Sequence, residues 1–286
     1  MQIDRDIGVV GLGLMGTAIA HRLLEHGYCV SVWNRSPEKY EPLRRLGALW
    51  SDNPFDECRR VIISLYSSDV VAEVVERMSS GLHTEQILVD TTTGEPSDAI
   101  DLSSRLAERG IHYLDAPISG SSEQTRRGES TVMVGGEKSD FDSCADLWPI
   151  LGSRVFHVGA CGTASKMKLV TNLVLGLNRA ALAEGLVFAQ IIGVSAEAAL
   201  EVLKGSVAYS RTMDTKGRKM IDQDFHAQAR LSQHLKDVHL MLDAALNAGR
   251  NLPLTQTHAK LLEAAEAAGF GELDNSAIIK TYDRSH

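Results

Sequence analysis

The stretch IGVVGLGLMGTAIAHRLLEHG, residues 7–27, decides the fold. It opens on a short apolar run, passes glycines at 11, 13 and 16, and continues with Met15, Ile19 and Leu23 in helical phase. A strand, a glycine turn and a helix in that order are the context in which GxGxxG binds a dinucleotide. Gly11 permits the tight turn, Gly13 lets a pyrophosphate approach the backbone, and Gly16 lets the helix lie close on the strand. The run Gly11, Leu12, Gly13, Leu14, Met15 and Gly16 is therefore the expected phosphate loop, with the helix N-terminus supplying amide donors.

The next strand, in CVSVWNRSPEK (29–39), bears on the cofactor. An NAD site places a carboxylate at its end to bind the ribose hydroxyls. Here that place reads Asn34-Arg35-Ser36, an amide, a cation and a hydroxyl, which suit a 2′-phosphate. NADP is the expected cofactor, with NAD as the second choice.

Further short strands are expected at 61–65, 87–90, 112–115, 131–134 and 155–158, separated by amphipathic helical stretches. Near-continuous apolar strands alternating with helices imply a parallel sheet covered on both faces. After Gly162 the pattern changes. One helical period runs from Thr163 to about Ile192, keeping Met167, Val170, Leu173, Val174, Leu177, Ala181 and Leu186 in phase. Helices near 195–204, 231–248 and 253–268 follow. The expected architecture is α/β, a doubly wound, mostly parallel sheet over 1–161, followed by an all-α domain over 162–286. A helix of that length spans ~45 Å at 1.5 Å per residue, more than a small helical domain needs. It is expected to join domains or subunits.

Bulk properties narrow the partners. At 44% hydrophobic over 286 residues, the chain can bury a substantial core. A net charge of −8 argues against nucleic acid and anionic membranes. No window holds the roughly 18 consecutive apolar residues that a membrane helix needs, and MQIDRDIGVVGLG places charges and glycines where a signal peptide needs an apolar stretch. Cys29, Cys58, Cys144 and Cys161 have no CxxC spacing and fit the reducing cytoplasm. No HExxH, Cys/His cluster or GxSxG elbow offers competing chemistry, and no metal is expected.

In open α/β sheets ligands lie beyond the carboxyl ends of the strands. The exits of interest are Leu65-Tyr66-Ser67, Asp90 to Thr93, and DAPISGSS at 115–122. The last is a small-residue loop whose amides and hydroxyls can hold a carboxylate. A further feature is SKMKLVTN, 165–172, with two lysines on a helix expected to face a core. Residues two apart point about 200° from each other, whereas those four apart are neighbours. Lys168 therefore shares a polar stripe with Thr171, Asn172 and Arg179, and Lys166 snorkels from an apolar face.

GLGLMGTAIAHRLLEHGYCVSVWNR, DTTT, DAPISGS, GTASKMKLVTN and HLKDVHLML stand in the order found in the β-hydroxyacid dehydrogenases. The resemblance spans essentially the whole chain, and the glyoxylate/succinic semialdehyde reductase branch is the most similar. It implies a Rossmann-like domain, a helical domain, and hydride exchange between NADP(H) and a small carboxylate-bearing aldehyde or β-hydroxyacid. It further implies that Lys168 is the acid/base with Asn172 beside it. Ser119, Gly120 and Ser121 would form the substrate loop. Leu65, Thr93 and Lys236 would touch the cofactor, the last two on its nicotinamide side. Lys236 would also favour a neutral Lys168, unless Asp237 offsets it. A homodimer or homotetramer is implied as well. Ser121 replaces a second glycine, as in the semialdehyde reductase branch, Ala164 replaces a glycine in the turn before the lysine, and Ala229 and Arg230 stand where the semialdehyde reductases carry an aromatic and a proline. Imine reductases share the architecture but carry another residue at the lysine position. A non-catalytic NADP-binding scaffold would be expected to have lost the lysine or the loop.

Overall fold

The computed structural model describes residues 5–282. Residues 1–4, part of the stretch read above for a leader, lie outside that range. The chain divides into two compact units, 1–168 and 169–286.

The first unit holds a nine-stranded sheet. Its strands are β1 (Asp6–Val10), β2 (Cys29–Trp33), β3 (Leu49–Trp50), β4 (Arg60–Ile63), β5 (Ile87–Asp90), β6 (His112–Asp115), β7 (Ile118–Ser119), β8 (Thr131–Gly135) and β9 (Arg154–Gly159). The order is β3-β2-β1-β4-β5-β6-β8-β7, with β9 on the far side of β8. Strands β1 to β6 pair in parallel, and β8 runs antiparallel to β6 and β7. All seven strands expected from sequence are present. The two extra ones, β3 and β7, are two residues long and too short to show a period.

Alternation along the strands builds two cores. Ile62 and Val89 face Ile19 and Leu23 of helix α1 (Leu14–Glu25). Val61, Ile63 and Leu88 face Val71 and Val74 of α2 (Ser68–Arg77) and Leu102 and Leu106 of α3 (Pro96–Ala107). Both faces of β4 are covered, so after Arg60 its sequence reads as an apolar run. Chain order reverses direction at β1, which lies between β2 and β4. That makes the crevice beyond Val10 the switch point where an open α/β sheet binds its ligand.

The second unit is helical. Helix α4 (Thr163–Ile191) starts in the first unit, and α5 (Ala196–Lys204), α6 (Leu231–Asn247) and α7 (Pro253–Ala265) follow. The burial of α4 is not the one its apolar period suggests. Val170 and Val174 are 57% and 53% exposed, whereas Asn172 and Arg179 are 6% and 2% exposed. The polar stripe packs, together with Leu169, Leu182 and Leu186. By length and composition α4 is apolar enough to cross a membrane, a test that core helices of water-soluble proteins also pass. Lys168 and Arg179 lie within it, and each would cost about 2.5–3.5 kcal/mol at a bilayer centre.

Beneath that stripe, the rings of His234 and His258 lie 5.2 Å apart. A Cβ on Gly176 would stand 2.4 Å from His234 Nε2, so the bare glycine makes room for the pair. Burial, aided by Arg179, pushes His258 down to about 4. The unfolded chain then takes up a proton near pH 6.5 that the folded chain refuses until about pH 4. Stability is therefore complete above pH 6.5 and falls by about 3 kcal/mol as the pH drops through that window. His258→Gln should remove most of that acid sensitivity in denaturant titrations at pH 7 and pH 4.5. Asp90, pushed up to about 6 by burial, works in the opposite sense, so the comparison is between variants rather than between pH values alone. Equal acid sensitivity in both proteins would exclude His258 as its source.

Candidate functional site

The glycine loop has the form a dinucleotide needs. Gly11 adopts φ +101°, and a Cβ there would sit 2.2 Å from Ser64 O. A Cβ on Gly16 would sit 1.9 Å from Gly11 O, so only glycine lets α1 come this close. Around Gly13 a Cβ would meet nothing within 4 Å; this open side is where a phosphate can approach. Gly13 is the N-cap of α1, and no side chain caps the helix or places an acid in its first turn. Those amides fit an anion, and the loop fits the pyrophosphate of a nicotinamide dinucleotide.

The flanking residues divide by task. Asn34 Oδ1 accepts from Leu12 N at 2.8 Å, and its Nδ2 donates to Ser36 O at 3.0 Å. Asn34 thus ties the end of β2 to the glycine loop. Arg35 is exposed and enters no salt bridge among the described residues, while Ser36 is half-buried. Leu65 N donates to Thr92 Oγ1 at 3.0 Å, joining the exits of β4 and β5, where Thr93 is also partly exposed.

Lys168 is 7% exposed, and its Nζ donates to Ile118 O at 2.7 Å. Lys166 is exposed. Ile118 immediately precedes Ser119 and Gly120, so the ammonium is anchored at the start of the substrate loop. Gly120 adopts φ +157°, and a Cβ there would press on Ser130 Oγ at 2.5 Å. Ser121 caps the short helix Ser122–Arg126: its Oγ accepts from Gln124 N at 3.2 Å, and its N–H donates to Gln124 Oε1 at 2.9 Å. The spacing Ser121-x-x-Gln124 is a capping-box signature legible in the sequence. It gives Ser121 a structural task that the replacement of glycine alone did not suggest.

In the second unit Asn172 Nδ2 donates to Asp237 Oδ2 at 2.8 Å. A carboxylate only accepts, so this bond fixes which end of the amide faces it. Lys236 Nζ lies 3.7 Å from Asp237 Oδ1, which partly offsets its charge. Arg230 is exposed and pairs with Glu272 at 3.0 Å.

Two buried carboxylates open strand exits that the sequence marked, but no role was read for either. Asp90 accepts from Tyr113 Oη at 2.6 Å. Asp115, at the end of β6, accepts from Ser165 Oγ at 2.6 Å, Ser165 N at 2.9 Å and Gly162 N at 3.1 Å. Burial raises Asp115 above the usual carboxylate range despite those bonds. Both lie on a cleft of about 520 Å³ that Asp69, Glu95, Asp98 and Asp101 also line. Among the described residues no group of three His, Cys, Asp or Glu could hold a metal ion.

Comparison with known proteins agrees with this geometry. The NAD binding domain of 6-phosphogluconate dehydrogenase matches residues 6–159. The NAD-binding domain of NADP-dependent 3-hydroxyisobutyrate dehydrogenase matches residues 162–282. The chain is 30% identical to 2-(hydroxymethyl)glutarate dehydrogenase of Eubacterium barkeri, over 99% of this chain and 97% of that one. It is 28% identical to glyoxylate/succinic semialdehyde reductase 1 of Arabidopsis thaliana, over 96% and 97%. A crystal structure of 3-hydroxyisobutyrate dehydrogenase from Salmonella typhimurium superposes with a TM-score of 0.88 at 25% identity, covering 97% of this chain and 99% of that one. With the glycine loop, the parallel sheet and the helical second unit in place, the chain belongs to the NAD(P)-dependent β-hydroxyacid dehydrogenase family.

Proposed function

We propose that the chain is an NADP-preferring reductase and dehydrogenase of a small aldehyde/β-hydroxyacid pair bearing a carboxylate, with Lys168 as the proton carrier. The observation that carries this reading is the buried Lys168 ammonium at 2.7 Å from Ile118 O, one residue before the Ser119-Gly120 loop. Ile118 O is a neutral acceptor that holds the ammonium at the start of that loop. When bound, the nicotinamide supplies the hydride in reduction and takes it back in oxidation.

Ser119 and Gly120 bind the substrate carboxylate through hydroxyl and amide donors. Lys168 then stabilises the oxygen that gains charge in reduction and gives it a proton; in oxidation the neutral amine takes the hydroxyl proton. Asn172, oriented by Asp237, steadies the amine or the substrate oxygen. Thr93 borders the nicotinamide, and Arg35 with Ser36 receives the 2′-phosphate. The exposed stripe Val170, Val174, Phe188 and Ile191 on α4 is the face on which a second copy would pack in a dimer or tetramer. The four free thiols fit the cytoplasm.

A coupled panel tests the reading. Glyoxylate, succinic semialdehyde, methylmalonate semialdehyde and tartronate semialdehyde are assayed with NADPH and with NADH, using a cyclic imine as control. At least one aldehyde should turn over, faster with NADPH. Turnover of the imine alone, or tighter binding of NADH than of NADPH, would displace the corresponding part of the proposal.

A further inference from the structure

At the start of helix α4, the amides of Gly162 and Ser165 take their acceptor from 47 and 50 residues upstream in the sequence. Asp115 is 2% exposed, and its two oxygens together accept from Gly162 N, Ser165 N and Ser165 Oγ. Ser165 stands three residues before Lys168, on the same side of the helix. Lys168 in turn donates to Ile118 O, three residues after Asp115. The result is a closed ring: Asp115 holds Ser165, the helix carries that constraint to Lys168, and Lys168 returns to the strand exit that Asp115 terminates. Neither contact alone would fix the ammonium. Without the cap the first turn can rotate or fray; without the lysine contact a fixed turn still leaves a long flexible side chain.

We propose that Asp115 is a positioning residue for the reaction, setting the phase and depth of the first turn of α4 so that the Lys168 ammonium faces the Ser119-Gly120 loop. This rests on the reading of Lys168 as the proton carrier. Asp115 does not exchange a proton with substrate, because its oxygens are committed to the helix. Its effect is geometric, and a displacement near 1 Å at a reacting group can cost roughly 10²-fold in rate.

The test is a double-mutant cycle between positions 115 and 168. Asp115→Ala should lower kcat roughly 10²-fold with the NADPH dissociation constant little changed and a smaller effect on KM. Asp115→Asn should recover most of the loss, since its Oδ1 can accept from the amides while its Nδ2 donates to Ser165 Oγ. In the Lys168→Ala background, Asp115→Ala should have almost no further effect on residual turnover. Equal losses in both backgrounds, or no rescue by asparagine, would overturn the positioning role. Where Asp115→Ala does not fold, Ser165→Ala carries the same cycle, with a several-fold fall in kcat expected; unchanged kcat would be equally fatal. If Lys168→Ala itself turns over normally, the underlying reading of the lysine fails, and that outcome is distinct from a failure at position 115.

Discussion

Lys168→Ala is expected to lower kcat by at least about 10²- to 10⁴-fold, the usual contribution of a positioned general acid–base. NADPH should bind as before, because the glycine loop and the end of β2 are built without the lysine. The paired control is Lys166→Ala, two residues away and exposed, which should stay within a few-fold of the parent. Lys168→Arg sharpens the argument. Guanidinium keeps the charge but does not release a proton at working pH. It should therefore restore electrostatic attraction for the substrate without restoring turnover. Stopped-flow measurement of NADPH oxidation separates binding from chemistry in each variant. Near-parental turnover in Lys168→Ala, with folding intact, would end the assignment.

The choice between these two lysines shows what the sequence can tell. Helical phase alone put Lys168 on the stripe with Asn172 and Lys166 off it, and burial follows that division. The central strands β1, β2, β4 and β5 were equally legible, because almost every residue in them is buried and so they read as apolar runs. The glycine loop was legible for a different reason: its spacing answers to backbone geometry, and Gly11 and Gly16 meet the atoms that exclude a side chain.

Contacts between distant parts of the chain were not legible. Nothing near Ser165 announces that its acceptor is Asp115. Nothing near Asn172 announces Asp237, which pairs with it 65 residues later. The apolar period of α4 was misleading in its first half, where Met167, Val170 and Val174 are exposed, although Leu186 of the same series is buried. A helix that packs through Asn172, Gly176 and Arg179 needs partners that are themselves polar, and these come from α6 and α7 as His234, Asp237 and His258. Periodicity reports that two faces differ; it does not report which one is covered.

Asp274→Ala is expected to be the most destabilising single change in the second unit. Asp274 is fully buried and accepts from Lys216 Nζ at 2.8 Å. It also accepts from Gln228 N at 3.0 Å, Ala229 N at 3.3 Å, Ser276 N at 3.1 Å and Ser276 Oγ at 2.7 Å. Burial alone would raise its pKa; Lys216 and these donors outweigh that and hold it below the usual carboxylate range. The carboxylate thus joins the segment before α6 to the 3-10 turn Asn275–Thr281. Removing it leaves a buried ammonium and several amides unmatched, at a cost of about 3–5 kcal/mol. For a chain of this size that corresponds to a fall in Tm of roughly 10 °C. Lys216→Met discriminates between a hub and a simple ion pair. It removes one donor and leaves the carboxylate four others, so it should cost clearly less than Asp274→Ala. If thermal unfolding ranks the two variants equally, or in the opposite order, the ion pair rather than the hub of amides is what holds this corner of the helical unit.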